Sequence, residues 1–208
     1  MSRLPAEKRR EQLLDCAAEL FANSGYARAT TAELARCAGV TEPIIYRHFA
    51  SKRDLFIALI ERTATQTLKH WQQSLADARD PVERLRRLLN DNPMVSVEGA
   101  APYRVLLQAI TEVGDPDIHR AVSGHFENLH AFLVKEVRQA QDERKVLRVF
   151  SAELIAWILI HVGLGYGSLA AMRVPHQGED SQGHHVQEML GRMLVGRGSD
   201  EKEEGIRH

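Results

Sequence analysis

Residues 30–52, TTAELARCAGVTEPIIYRHFASK, restrict what this chain can fold into more than any other stretch. Thr30 followed three residues later by Glu33 is a capping-box pattern, in which hydroxyl and carboxylate each satisfy an N–H left unpaired at a helix start. Gly39 closes that helix, because glycine enters the left-handed conformation at little cost. Thr41 is placed to cap the next helix, and Pro43 is tolerated because N–H groups of a first turn lack partners anyway. Ser51 with Asp54 repeats the capping pattern for a third helix. The apolar positions are Ala35, Gly39 and Ile45, with Leu34, Val40 and Phe49 beside them. A small residue at 35 lets the second helix cross closely over the first, and Ile45 fills the angle between them. These are the requirements of a helix-turn-helix, whose second helix enters the DNA major groove. Thr41, Glu42, Ile44, Arg47 and His48 stay outward with Tyr46 nearby, where they can meet base edges or phosphates. An ordinary helical hairpin is the alternative reading of the same spacing.

Composition matters to this reading in two places. A net charge of −1 over 208 residues excludes a generic polyanion binder, so any DNA contact must come from a local patch. Residues 1–55 carry nine Lys and Arg against seven Asp and Glu, a surplus of two, which has the sign a DNA-facing end needs. The two cysteines, Cys16 and Cys37, fall on apolar-periodic helix positions and read as buried, reduced thiols of a cytoplasmic protein. The first residues, MSRLPAEKRREQ, have no apolar core and do not read as a secretory signal.

Along the chain the periodicity is helical throughout. Pro5 opens a first helix to about Asn23, with Leu13, Cys16, Ala17, Leu20 and Phe21 on one face and Arg9 and Arg10 opposite. Arg28 lies in the loop before the motif, where a phosphate or minor-groove contact is natural. A long helix over about 52–78 has Leu55, Phe56 and Leu59 in its first half and Leu68, Trp71 and Leu75 in its second, so one rigid rod would serve two cores. Shorter helices follow at about 82–90 and 102–113, with Arg84, Arg86 and Arg87 mostly outward on the former and Ile110 and Val113 inward on the latter. Residues 94–99 are ambiguous. A second long helix is expected at 117–142. The uncharged run 154–172 is long enough to cross a membrane, yet His161, Ser168 and its glycines favour a helix buried on nearly all sides. One face of it (Trp157, His161, Gly165, Ser168) suits a second subunit, and the other (Ile155, Leu159, Val162, Tyr166, Leu169) suits its own core. A last helix is expected at about 184–195, then a charged, disordered tail at 197–208.

No nucleophile elbow, phosphate loop or paired-histidine metal motif occurs, so no catalytic residue, metal or cofactor is expected. The ten histidines form no ligand set: His125 and His130 are five apart, and His184 and His185 point apart on a helix. The second half does carry large or amphipathic residues on helices expected to converge: Trp71, Met94, Tyr103, Gln108, Phe126, His130, Trp157 and Tyr166. An apolar cavity with a few polar anchors is what a small-molecule site looks like.

The region from about Arg9 to Leu59 resembles the TetR-type transcriptional regulators. The resemblance is carried by Leu13-Leu14, Ala17-Ala18, Leu20-Phe21, Gly25-Tyr26, Thr30-Thr31, and above all Ile45-Tyr46-Arg47-His48-Phe49 with Ser51-Lys52 and Leu55-Phe56. It implies an all-α subunit: a three-helix DNA-binding domain at 1–55 with its motif at about 30–49, and a larger helical domain at 56–196 for ligand binding and dimerisation. It implies that Thr31, Tyr46, His48 and Lys52 hold phosphates with Thr30 assisting, and that Thr41, Glu42, Pro43, Ile44 and Arg47 face bases. It implies a homodimer through helices at about 117–142 and 151–172 on an inverted-repeat duplex, and a repressor released by a small effector. A DNA-binding protein without an effector and a helical enzyme or adaptor are the rival classes.

Overall fold

The computed structural model describes residues 4–90, 100–146, 148–176 and 178–195. Nine α-helices occur among them: α1 Ala6–Ser24, α2 Thr31–Ala38, α3 Glu42–Tyr46, α4 Lys52–Ser74, α5 Pro81–Asn90, α6 Ala100–Ala109, α7 Pro116–Asp142, α8 Ala152–Ala171 and α9 Val186–Val195. The described residues contain no strand, and the fold is all-α. Met94 and the tail at 197–208 lie outside the described residues.

Local chemistry sets most boundaries. The Thr30 capping box is complete: Glu33 N–H donates to Thr30 Oγ1 at 3.2 Å, and Thr30 N–H donates to Glu33 Oε2 at 2.9 Å. Gly39 stands at φ 63° after α2, the left-handed conformation that side chains resist. Asp54 N–H donates to Ser51 Oγ at 3.0 Å at the start of α4, and Ser151 Oγ accepts from Leu154 N–H at α8. Thr41, by contrast, makes no side-chain cap for α3, whose Pro43 lies in the first turn.

Packing divides the chain into two units, Met1–Thr67 with Val97–Asn128, and Leu68–Ser96 with Leu129–His208. α4 and α7 each give residues to both. Leu55, Phe56 and Leu59, with Ile60 and Thr63, are buried on the part of α4 that belongs to the first unit. In that unit Leu13, Leu14, Phe21, Leu34, Ile45 and Phe56 are fully buried. Phe56 stacks on Tyr26 with centroids 4.0 Å apart, and Phe21 meets the edges of both rings at 5.6–5.7 Å. In the second unit Glu136 of α7, 3 % exposed, receives Arg84 of α5 in a two-pronged ion pair, Nε to Oε2 at 2.6 Å and Nη2 to Oε1 at 2.9 Å.

Four sequence expectations change. Cys37 is exposed rather than buried, and Cys16 is only half-buried. α6 ends at Ala109 and tightens into a 3₁₀ turn over Ile110–Glu112. A turn of three residues rotates the apolar stripe, and Ile110 and Val113 emerge into solvent. α4 stops at Ser74 instead of 78, where Ala76 N–H reaches back three residues to Gln73. α8 is covered on one side only: Ile155, Ala156, Ile160, Gly163 and Gly167 are buried, while Leu154, Trp157, Ile158 and Leu169 are exposed. Leu169 thus leaves the core face it was given, and the helix is not buried all round within one chain.

His125 sits 2 % exposed in the first unit with no hydrogen-bond partner on either ring nitrogen among the described residues. Tyr103 and Phe126 edge against it at 6.1 and 5.2 Å. Burial disfavours the imidazolium and pulls the His125 pKa from 6.5 down to about 4. The unfolded chain therefore takes up a proton between pH 6.5 and 4 that the folded chain refuses. Stability falls as pH drops through that window, by about 3 kcal/mol in all, and levels off below it. In His125→Phe this part of the acid slope disappears; thermal midpoints of both proteins across that range check it.

Candidate nucleic-acid interface

The motif's outward face is assembled from α2, α3 and the loop before them. Leu34, Ala35, Ala38, Ile45 and Phe49 turn inward. That leaves Thr30, Thr41, Pro43, Tyr46 and Arg47 exposed, with Thr31, Glu42, Ile44, His48 and Lys52 half-buried beside them. Val40 N–H donates to Ala35 O at 2.9 Å and His48 N–H to Ile45 O at 2.9 Å, so the turn and the end of α3 are both anchored.

Two polar arrangements set what this face presents. In the first, Thr31 Oγ1 donates to Glu42 Oε2 at 2.6 Å and lies 3.4 Å from the Tyr46 hydroxyl. The bond ties the start of α2 to the start of α3. It also occupies the hydroxyl proton that a phosphate contact by Thr31 would use. In the second, the Lys52 ammonium donates to Tyr26 O and Ala29 O at 3.0 Å and to Ala27 O at 3.4 Å, over the Tyr26 ring at 4.6 Å. Lys52 thereby fixes the loop that carries Arg28 and Thr30. Arg28 is exposed, with Nε on Ser24 O at 3.0 Å. Arg47, the cap residue of α3, is exposed, and its side chain has no hydrogen bond or ion pair among the described residues, which leaves the whole guanidinium for a ligand. Glu42 at a helix N-terminus is an acceptor, suited to a cytosine amino group rather than to phosphate.

Sequence reasoning passed over two supports of this face. Tyr26, named only among the residues that carry the resemblance, is the platform between Phe56 and Lys52. Gln108 of α6 accepts from Tyr26 N–H at 2.9 Å and donates to Phe21 O at 2.8 Å, bracing the same loop. No local pattern marks a glutamine that acts across eighty residues of chain, so only the fold reveals it.

The residues expected to share a cavity are divided between the two units. Tyr103, Gln108 and Phe126 belong to the first unit. Tyr103 meets Thr67, hydroxyl to hydroxyl, at 3.1 Å, and burial pushes its pKa up to about 12. His130 and Trp157 stack on each other at 4.4 Å in the second unit. Trp71 and Tyr166 do line a cavity of about 40 Å³ there, together with leucines and isoleucine of α5, α7, α8 and α9 and with Gln187. Tyr166 Oη donates toward Gly178 O at 3.2 Å and Gln187 Oε1 at 3.3 Å, the polar corner of an otherwise apolar space.

An all-α chain whose helix-turn-helix presents an exposed arginine beside hydroxyls has the form of a DNA-binding protein. The comparisons give its family. The model of bacterial regulatory proteins, tetR family, matches residues 13–59. The nucleoid occlusion factor SlmA of Marinobacter nauticus is 34% identical over 139 residues, 66% of this chain and 69% of that protein. The transcriptional activator FasR of Mycolicibacterium smegmatis is 40% identical over 85 residues, 41% of this chain but only 39% of FasR. The fatty acid degradation regulator FadR of Bacillus halodurans shares the fold, with a TM-score of 0.72 over 100% of both chains at 16% identity. The chain belongs to the TetR family of DNA-binding transcriptional regulators.

Proposed function

We propose that this protein is a dimeric, effector-responsive repressor in the cytoplasm that grips an inverted-repeat operator. The observation that carries the reading is Arg47, exposed and unpartnered at the end of α3, next to the Thr31–Glu42–Tyr46 cluster. Arg47 is assigned to a guanine edge, Glu42 to a cytosine or adenine amino group, and Arg28, Thr30, His48 and Lys52 to backbone contacts or to holding the loop that makes them. Replacing Arg47 with alanine is expected to weaken binding to the selected site by about 1–3 kcal/mol while leaving random DNA much less affected. Equal losses on both would make it a phosphate contact only. Anisotropy titrations on the two duplexes decide.

The exposed apolar face of α8, with Leu154, Trp157 and Ile158, suits a second copy of the chain, α7 joining it. Two-fold symmetry then places two copies of α3 about 34–36 Å apart on one face of the duplex. The effector is assigned to the cavity at Trp71 and Tyr166. At about 40 Å³ it is far smaller than a usual ligand pocket, so entry requires its walls to part. Trp71 rides on α4, the helix whose first turn carries Lys52, which supplies a continuous element for linkage. A typical coupling is about 1–3 kcal/mol and is reciprocal. An apolar compound found by thermal-shift screening is expected to lower operator affinity about tenfold, and DNA to lower affinity for that compound equally. Unchanged operator affinity at saturating compound would defeat the effector assignment.

The SlmA relatives support a second reading, binding at many dispersed chromosomal sites with a role at the nucleoid. Genome-wide occupancy separates the two, since a repressor concentrates at a few promoters.

A further inference from the structure

We propose that the effector assigned to the cavity at Trp71 and Tyr166 is a neutral, mainly apolar molecule carrying one hydroxyl or carbonyl oxygen, which Tyr166 and Gln187 hold at the cavity's polar corner. The proposal rests on the effector reading for its consequence at DNA, and on the cavity alone for the chemistry of the ligand.

The wall selects by charge first. Leu88, Leu89, Leu129, Leu133 and Leu159 dominate it, and no Asp, Glu, Lys, Arg or His stands among the described residues that line it. An ion entering such a wall gives up its hydration and meets no counter-charge, whereas an alcohol or ketone gives up far less. The closed volume of about 40 Å³ favours a compact ligand.

Polar capacity is confined to one place. The single proton of Tyr166 Oη faces two acceptors, Gly178 O at 3.2 Å and Gln187 Oε1 at 3.3 Å, and serves one at a time. Gly178 O already accepts from Val186 N–H at 2.9 Å. The amide nitrogen of Gln187 makes no hydrogen bond among the described residues, so its two protons remain for an incoming oxygen. A carbonyl oxygen would accept from Gln187; a hydroxyl would do the same and donate to the acceptor that Tyr166 leaves unserved.

The chain between α8 and α9 is fitted to this corner. Glu179 and His185 pair as an antiparallel bridge. Gly178, just before it, stands at φ 77° and lies so close to the Tyr166 hydroxyl that a Cβ would overlap Oη. Only glycine lets the backbone approach the phenol in this way. That approach, with the bond from Oη to Gly178 O, holds the hydroxyl beside Gln187.

The test is titration calorimetry on the full chain without DNA, with four compounds built on one ring: toluene, benzyl alcohol, benzoate and benzylammonium. Benzyl alcohol is expected to bind, and both ions to bind at least about tenfold more weakly. In Tyr166→Phe and in Gln187→Leu, affinity for benzyl alcohol relative to toluene is expected to fall by about tenfold. Gly178→Ala, whose methyl group displaces the hydroxyl, is expected to lower the same ratio. The ratio isolates the oxygen, because a damaged fold or a reshaped wall weakens both compounds alike. The proposal is overturned if benzyl alcohol does not bind, if either ion binds as tightly, or if the ratio is unchanged in both Tyr166→Phe and Gln187→Leu. Operator affinity is measured in parallel. Benzyl alcohol held at this corner with operator affinity unchanged defeats the effector reading and leaves the ligand chemistry standing.

Discussion

Arg84→Met will destabilise the second unit by about 3–5 kcal/mol, although arginine 84 lies on a helix surface as sequence reads it. The reason is Glu136. Its carboxylate is 3 % exposed and receives two guanidinium bonds from Arg84, whose third nitrogen donates to Leu75 O at 2.8 Å. Methionine keeps the stem's packing and removes the charge, so a buried carboxylate stands without its partner, and the carbonyl of Leu75 loses a donor as well. The double variant Arg84→Met, Glu136→Leu is expected to recover most of the loss, because removing both charges also removes the cost of burying them. Urea unfolding of the three proteins checks both statements. A single variant as stable as the parent would mean that water reaches Glu136 and that the pair adds little.

Phe56→Ala is expected to cost about 3–5 kcal/mol in the first unit, the range for deleting a fully buried aromatic ring. The effect reaches function because of what the ring touches. Phe56 is 0 % exposed and supports Tyr26 face to face, and Tyr26 in turn lies under the Lys52 ammonium that holds Tyr26 O, Ala27 O and Ala29 O. Without the ring, the loop carrying Arg28 and Thr30 loses its floor. Operator affinity should fall even at temperatures where helical content stays normal. Phe56→Leu, which refills most of the volume, is expected to keep far more of both. Circular dichroism and DNA titration at matched temperature make the comparison.

The sequence was most legible where chemistry is local. Thr30 with Glu33, Gly39, and Ser51 with Asp54 each act within four residues, and each stands as expected. Ile45 and Phe49 are buried because the spacing of a helix-turn-helix leaves no other place for them. Thr41 shows the limit even there, since its position suits a cap but its side chain makes no such bond. Long-range pairings were not legible. Periodicity gives Arg84 an outward face but does not say that Glu136 waits there. It also places Cys37 on a stripe without revealing that the stripe's edge is open. The large residues expected to converge shared only amphipathic character, and the fold sends Gln108 to brace the loop at Tyr26 while Trp71 and Tyr166 meet at a cavity.

The central claim is sequence-specific DNA binding through α3, and selection from random duplex DNA tests it most directly. The winning sequence is then titrated with salt. The account predicts an inverted repeat with half-sites about one helical turn apart, bound at least about a thousandfold tighter than random DNA and weakening steeply as salt rises. Folded protein that enriches no motif, or binds every duplex alike, contradicts it.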